Sequence, residues 1–271
     1  MSAPALPTSD PPVAFLEDPG GRLAYVDEGP RGAPALLLVH GIPGSVRDFR
    51  YLVPPLGPRV RTVRVELPGF GASAPRDEAL DGFSGRARAL LAVADHLHLP
   101  RFAVLGHSMG GGAALALAHE APTRVSHIVL VASVGLSLHR GLGHPPWVFR
   151  LLALGLPLPL VGAAILRASR EQYRARGFPG AETLDAAALG LQLRAIAATD
   201  FRLLRRLAKR PLPPALVAYA RDDRLIEEHI ALELAAALPA SRTLAFDEGG
   251  HNIQKTRAPE LAAAVAEHLG A

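Results

Sequence analysis

Short apolar runs alternate along most of the chain with longer segments whose apolar residues recur at helical spacing. Runs such as Ala35–Val39 and Ala215–Ala220 are apolar throughout, which is typical of strands buried on both faces of a parallel sheet. In Asp81–Leu97, by contrast, the apolar residues fall on one helical face. This order of strand and helix predicts an α/β fold, in which a mostly parallel sheet is flanked by helices.

The pattern places eight strands and the helices between them. The predicted strands are Val13–Glu17, Arg22–Glu28, Ala35–Val39, Val60–Leu67, Phe102–Leu105, Val125–Ala132, Ala215–Ala220 and Arg242–Phe246. The first two strands are expected to form an antiparallel hairpin. The predicted helices of the sheet region are Ser45–Leu56, Asp81–Leu97, Ala113–His119, Glu227–Leu238 and Pro259–Leu269.

This alternation breaks between Ser133 and about Pro211. Leucine-rich segments interrupted by prolines replace the strands there, and they predict about four helices. The most apolar segment, Leu151–Leu166, is about 16 residues long and holds two prolines, whereas a membrane span needs about 20 uninterrupted residues. We therefore predict no integral membrane segment but a helical lid that lines an apolar pocket. Contact of this lid with a lipid surface is the less favoured alternative.

Composition narrows the class of protein. With 271 residues, 49% of them apolar and 20% charged, the chain is expected to be soluble and to bury one sizeable core. The absence of cysteine excludes disulfides, a cysteine nucleophile and thiolate metal sites. Residues 1–12 lack a basic region followed by an apolar core, so they predict a disordered tail and, by default, a cytoplasmic location.

The net charge of +4 does not indicate a nucleic-acid partner, because the arginines are scattered. In the densest run, Arg202–Arg210, they alternate with leucines at helical spacing, which is typical of a solvated helix face.

The sequence G-H-S-M-G at residues 106–110 joins a predicted buried strand to a predicted helix. A residue on such a tight turn adopts strained backbone angles, and the flanking glycines remove β-carbons that would collide with the neighbouring strand and helix. The turn exposes Ser108 beside the free N–H groups of a helix start, where negative charge is stabilised. Ser108 is therefore the candidate nucleophile.

Chemically apt residues follow several strands of the predicted sheet, where functional groups of a parallel sheet collect. A serine nucleophile needs an imidazole to accept its proton and a carboxylate to orient that imidazole. Of the 11 histidines, only His251 directly follows the last strand, in a turn rich in glycine. Asp222 and Asp223 both follow the preceding strand, and physical reasoning alone does not separate them. The chain order of serine, acid and histidine is the one expected for this sheet.

These residues belong to motifs that resemble the α/β-hydrolase superfamily over almost the entire chain. The motifs are Gly106–Gly111 (GHSMGG), His40–Gly44 (HGIPG), Glu66–Ser73 (ELPGFGAS), Ala220–Asp223 (ARDD) and Gly250–His251. The resemblance implies an α/β-hydrolase fold with a helical cap after the sixth strand. The predicted domains are the tail 1–12, a core of residues 13–134 and 212–271, and the cap 135–211.

The resemblance also implies roles for individual residues. Asp223 is the expected acid, because its position three after Ala220 fits the family pattern, and the N–H groups of Ile42 and Met109 are expected to form the oxyanion hole. The chain departs from the family at two positions, with Glu66 in place of aspartate and Ala220 in place of glycine. Epoxide hydrolases and haloalkane dehalogenases have aspartate where Ser108 stands, so the resemblance to them ends at the fold.

We predict from this a serine hydrolase that cleaves carboxylic esters with apolar short- to medium-chain acyl groups and that needs no metal or organic cofactor. Trp147 and Phe149 of the lid are candidate pocket walls. Carbon–carbon bond hydrolysis, kept open by the lid arginines, and perhydrolysis or acyl transfer would use the same three residues. A non-catalytic ligand-binding homologue is the alternative from a different class.

Overall fold

A computed structural model gives the fold of this protein and describes residues 12–17, 20–75, 82–175, 182 and 184–271. The chain divides into two units. The first comprises Met1–Gly143 and Asp200–Ala271, and the second is His144–Thr199. Apart from Pro12, the predicted tail lies outside the described residues.

The first unit is built on an eight-stranded sheet with the strand order β1-β2-β4-β3-β5-β6-β7-β8. The strands are β1 (Ala14–Leu16), β2 (Leu23–Glu28), β3 (Ala35–Val39), β4 (Arg61–Val65), β5 (Phe102–His107), β6 (Val125–Val131), β7 (Ala215–Ala220) and β8 (Ser241–Phe246). β2 pairs antiparallel with β1 and with β4, and every other pairing is parallel. The predicted mostly parallel α/β sheet is thereby confirmed.

Helices of the first unit cover this sheet. They are α1 (Val53–Leu56), α2 (Phe83–His96), α3 (Met109–Glu120), α7 (Phe201–Ala208), α8 (Glu228–Ala237), α9 (Ile253–Thr256) and α10 (Ala258–Leu269). On one face, Leu36, Leu38 and Leu105 of the central strands pack in one buried cluster with Leu261 and Val265 of α10. α3 is buried from Met109 to Ala118, because glycine, alanine and leucine leave no polar face to present to solvent. The strand and helix on either side of Ser108 are therefore held firmly in the core.

The single helix predicted over Ser45–Leu56 is wrong. A 3₁₀ turn, Val46–Phe49, is separated from the short α1, and a second 3₁₀ turn follows it. Ser45 caps the first turn as predicted, since its hydroxyl accepts from the Arg47 N–H. Pro54 and Pro55 have no N–H group, so a continuous helical hydrogen-bond series cannot pass from the first turn into α1.

The second unit contains α4 (Pro146–Gly155), α5 (Pro159–Ala175) and α6 (Ala186–Ala197). It is shorter than the predicted cap 135–211, because residues 135–143 and 200–211 belong to the first unit. Helix α7 packs against α3, and the Arg205 guanidinium donates to the Leu136 carbonyl at 2.7 Å. The apolar face of α7, with Leu204 and Leu207 buried, thus joins the core of the sheet unit.

Among the residues that the structure describes, none of the helices has the length and apolar content needed to cross a bilayer.

Candidate active site

Ser108 lies on a strained turn between β5 and α3. Its φ of 53° and ψ of −123° fall in a region that residues other than glycine rarely adopt. A β-carbon on Gly106 would lie 2.4 Å from the Gly110 carbonyl oxygen, and one on Gly110 would lie 2.4 Å from the Val39 carbonyl oxygen. The steric reason for the two glycines is the one expected from the sequence: close approach of the helix start and of the adjacent strand β3.

Because these obstructing atoms are backbone, G106A is expected to lower the free energy of unfolding by about 1–3 kcal/mol, as overpacking of a closed core does. Chemical denaturation would measure the loss. Gly32 offers the matched control, since an added β-carbon there would meet no described atom within 4 Å. A G106A protein as stable as G32A would contradict the close packing of this turn.

Three side chains from separate loops meet at the carboxyl edge of the sheet. The Nε2 atom of His251 lies 3.0 Å from the hydroxyl oxygen of Ser108, and its Nδ1 atom lies 2.9 Å from Oδ2 of Asp223. The side chains of His251 and Asp223 are 11% and 1% exposed, so both hydrogen bonds are largely shielded from water. The structure brings together the serine, acid and histidine predicted from the sequence.

The two neighbouring aspartates have different partners. Oδ1 of Asp223 accepts from the N–H groups of Leu225 and Ile226, at 2.8 and 3.0 Å, which leaves Oδ2 for the histidine. Asp222 turns the other way, and its Oδ1 accepts from the N–H groups of Gly249 and Gly250. Asp223 thus orients the imidazole, whereas Asp222 holds the loop that carries it.

Asp223 is ionised in this setting. Burial alone would raise its pKa, but the hydrogen bond and charge of His251, with the amides of Ile226 and Leu225, bring the pKa of this carboxyl below its ordinary value. An ionised Asp223 can only accept, so Nδ1 of His251 carries a proton; in the neutral imidazole, Nε2 is then the acceptor that faces the Ser108 hydroxyl. This arrangement allows the imidazole to take a proton from the serine.

The loop predicted to stabilise an oxyanion lies directly against the nucleophile. A β-carbon on Gly41 would lie 2.9 Å from the β-carbon of Ser108. The buried His40 fixes this loop, because its Nδ1 atom donates to the Gly41 carbonyl at 2.6 Å while its Nε2 atom accepts from the Leu67 N–H at 3.0 Å. Ile42 follows Gly41 in this loop, and Met109 begins α3 on the other side of Ser108.

An ion pair that the sequence did not indicate joins the 3₁₀ turn Val46–Phe49 to helix α9, which follows His251. Nζ of Lys255, four residues after His251, lies 2.6 Å from Oδ1 of Asp48. The other carboxylate oxygen of Asp48 accepts from the Ser45 N–H. The spacing of Ser45 and Asp48 is a capping-box signal. The lysine that pairs with Asp48, however, is 207 residues away and could not be inferred from that spacing.

His107, beside the nucleophile, also contacts the histidine loop. Its Nε2 atom donates to the carbonyl oxygen of His251 at 2.9 Å, and the two rings lie 4.9 Å apart between centroids. Burial lowers the pKa of His107 to about 3, and the charge of His251 acts in the same direction. In the sequence, adjacency to Ser108 was the only signal for this contact, and it did not predict the partner.

Besides His40 and His107, His139 is a third buried imidazole of the first unit. Burial lowers its pKa to about 4, although its Nδ1 atom is hydrogen-bonded to the Leu225 carbonyl at 3.2 Å.

We expect the free energy of unfolding to decrease as the pH falls from about 6.5 to about 4, because the unfolded chain binds protons at His107 and His139 while the folded chain keeps both neutral. Each group contributes a slope of up to about 1.4 kcal/mol per pH unit. H107Q and H139Q should each flatten the pH dependence, measured by chemical denaturation across this range. H144Q, at an exposed position, is the control and should retain the slope of the natural chain; an unchanged slope in both buried variants would contradict neutral imidazoles.

The two departures from the family pattern fit their surroundings. The buried Glu66 carboxylate accepts from the N–H groups of Val46 and Ala72. A β-carbon on Gly71 would collide with that carboxylate, so a glycine there admits the longer acid. Ala220 is fully buried at the end of β7, and its carbonyl accepts from the Asp223 N–H at 3.2 Å.

Trp147 and Phe149 lie on α4 of the second unit. Phe149 packs beside the small core of that unit, whereas Trp147 is 62% exposed. Their assignment to a substrate pocket stays a prediction. Within the described ranges, no group of three or more histidine, aspartate or glutamate side chains is arranged to hold a metal ion.

A protein-family profile and several known proteins match this chain over most of its length. The sequence profile of the "Alpha/beta hydrolase family" matches residues 36–264. The chain is 30% identical over 260 residues to the magnesium-chelatase 30 kDa subunit of Rhodobacter capsulatus, a match covering 90% of this chain and 89% of the relative. It is 29% identical over 274 residues to a 2-hydroxy-6-oxononadienedioate/2-hydroxy-6-oxononatrienedioate hydrolase of Cupriavidus pinatubonensis, with 88% of each chain covered.

A solved structure resembles the whole fold. The enol-lactonase of Burkholderia xenovorans superposes with a TM-score of 0.75 at 22% identity, over 95% of this chain and 100% of that one.

Proposed function

Because the chain belongs to the alpha/beta hydrolase family, we propose that it is a serine hydrolase that cleaves carboxylic esters through an acyl intermediate on Ser108. The observation that supports this most directly is the hydrogen-bonded series from Asp223 through His251 to Ser108, with distances of 2.9 and 3.0 Å. The pKa of Asp223 lies below its ordinary value, so this carboxylate can orient and stabilise the imidazole during acyl transfer.

In the proposed first half-reaction, the hydroxyl oxygen of Ser108 attacks the ester carbonyl carbon while Nε2 of His251 takes the hydroxyl proton. The carbonyl oxygen becomes an oxyanion, and the N–H groups of Ile42 and Met109 stabilise it. The bond to the alkoxy group then breaks, His251 returns its proton to the departing alcohol, and the acyl group remains on Ser108.

The second half-reaction repeats these steps with water. His251 takes a proton from the water as its oxygen attacks the acyl carbon, and then returns a proton to Ser108 as the carboxylic acid leaves. Asp223 stays ionised throughout and stabilises the imidazolium that forms twice in each cycle. We propose an apolar short- to medium-chain acyl group, in keeping with the leucine-rich second unit.

Carbon–carbon bond hydrolysis is a second candidate, favoured by one comparison. The Cupriavidus relative is named for a substrate that contains no ester, so its hydrolysis breaks a carbon–carbon bond. On this chain, that reaction would use the same Ser108 and His251.

A panel of substrates given to the purified full chain distinguishes the two. We expect kcat/KM for p-nitrophenyl butyrate or octanoate to exceed that for a vinylogous 1,5-diketone by about 100-fold or more, since the two reactions need different stabilisation of the leaving group. Faster cleavage of the diketone would replace the ester proposal with the second candidate. Adding an alcohol or hydrogen peroxide would reveal acyl transfer or perhydrolysis as a change in product partition.

A non-catalytic role would have a different signature. The Rhodobacter relative is named as a subunit of magnesium chelatase, and a protein of that kind need not turn over an ester. Labelling of Ser108 by a fluorophosphonate, together with rapid turnover of an ester, would support hydrolysis. Labelling without turnover of any ester in the acyl-length series would contradict it.

A further inference from the structure

The second unit leaves large apolar side chains in solvent at one end. On α4, Trp147, Leu151 and Leu154 are 62%, 59% and 67% exposed. Their spacing of four and then three residues places them on one face of the helix. In the turn and the first residues of α5, Leu158, Leu160 and Val161 are 55%, 88% and 47% exposed. We call these six residues the apolar tip.

The packing of the second unit does not use the apolar tip. The opposite face of α4, including Leu152 and Ala153, packs with Leu189 and Leu193 of α6 in the core of the unit. A helix with one buried face normally presents polar side chains on the other face. α4 is instead apolar on both faces, and six large exposed apolar side chains between positions 147 and 161 favour an interaction surface.

The segment of the chain that carries the apolar tip has formal charges of one sign only. Residues 144–170 contain Arg150, Arg167 and Arg170 but neither aspartate nor glutamate. Arg150 and Arg167 are exposed on α4 and α5, respectively. The next acid along the chain is Glu171, about 15 Å from Val161 along α5 at the helical rise of 1.5 Å per residue. A partner that binds this surface would therefore present both apolar groups and negative charge.

We propose that the apolar tip docks this protein on the surface of an anionic lipid bilayer, with its leucines in the boundary between headgroups and acyl chains. Tryptophan and leucine on one side with arginine beside them is the composition that binds such a boundary. Leu158 and Leu160 lie at a helix–helix corner, which suits shallow insertion between lipids. Arg150 and Arg167 then contact lipid phosphates.

Charge disfavours a second copy of the chain as the occupant. A two-fold interface would place this patch against itself, so each arginine would meet the same cationic surface. No carboxylate within residues 144–170 is available to pair with those arginines.

The chain contains a single tryptophan, so Trp147 itself reports on docking. The full chain is mixed with vesicles of about 70% phosphatidylcholine and 30% phosphatidylglycerol, or with vesicles of phosphatidylcholine alone. The two kinds of vesicle differ in surface charge. We expect a blue shift of Trp147 emission and co-sedimentation with the anionic vesicles. Binding should weaken by about 10-fold or more with neutral vesicles or in the variant R150Q/R167Q.

Removing apolar contacts tests the insertion directly. L154S/L160S should weaken partition into anionic vesicles by about 10-fold or more, since each buried leucine contributes apolar area. L232S is the matched control, because Leu232 is 45% exposed on α8 of the first unit, and it should bind as the natural chain does. Circular dichroism and thermal unfolding verify that the variants are folded.

Three results would overturn the proposal. The first is no blue shift and no co-sedimentation with anionic vesicles. The second is binding that L154S/L160S leaves unchanged. The third is a concentration-dependent dimer that L154S/L160S converts to monomer, which would assign the apolar tip to self-association. None of these results depends on which bond the enzyme cleaves.

Discussion

S108A is expected to lower the turnover of p-nitrophenyl acyl esters by about 10⁴- to 10⁶-fold, since it removes the atom that forms the acyl bond. Ser108 is the residue on which the proposed chemistry depends most, because His251 and the oxyanion loop act only on a group attached to it. Steady-state assays with the natural chain and the variant at matched concentration measure the loss, and fluorophosphonate labelling should disappear with it.

The matched control for this prediction is S137A. The Ser137 hydroxyl donates to Glu233 at 2.7 Å and not to a member of the proposed triad, so its removal should leave kcat within about threefold of the natural value. Thermal unfolding of both variants excludes a folding defect as the cause. An S108A protein that kept more than about one hundredth of the activity would disprove the nucleophile assignment.

D223N is expected to reduce kcat by about 10³- to 10⁴-fold. An amide in place of the Asp223 carboxylate removes the negative charge that stabilises the imidazolium and can hold His251 in the wrong tautomer. The fold should persist, because the amide oxygen can still accept from the Leu225 and Ile226 N–H groups that Oδ1 of Asp223 holds now.

D222N is the matched control at the adjacent position. Its amide oxygen can still accept from Gly249 and Gly250, so kcat should remain within about threefold of that of the natural chain. Comparison of the pH dependence of kcat for the two variants provides the second measurement. Equal losses in D222N and D223N would contradict the division of roles between the two carboxylates.

Much of the first unit was predictable from local sequence. The fully apolar runs that became β3, β5 and β7 could be assigned because a parallel sheet buries both faces of its central strands. The turn around Ser108 was predictable for a steric reason, since Gly106 and Gly110 each lie too close to backbone for a β-carbon.

Other features depend on contacts that a local pattern does not contain. The helix predicted over Ser45–Leu56 rested on Ser45 as its cap and on the prolines at 54 and 55 as its end, but these prolines lie within the short α1 and interrupt the hydrogen bonds before it. The boundary of the second unit depends on the packing of α7 on α3, which is a tertiary contact between segments far apart in the sequence. Asp222 and Asp223 are chemically identical, so only the family pattern favoured Asp223 beforehand; in the structure, the direction in which each carboxylate points distinguishes them.

The neutrality of His107 has a consequence for the energy of each catalytic cycle. In the proposed reaction, His251 becomes a cation whenever it takes a proton, with the ring of His107 at a centroid separation of 4.9 Å. Burial lowers the pKa of His107 to about 3, so near neutral pH this neighbour adds no repulsion to the developing imidazolium. The side chain at position 107 is thus uncharged near neutral pH. Lysine or arginine introduced there would raise the reaction barrier by like-charge repulsion, even if the protein still folded.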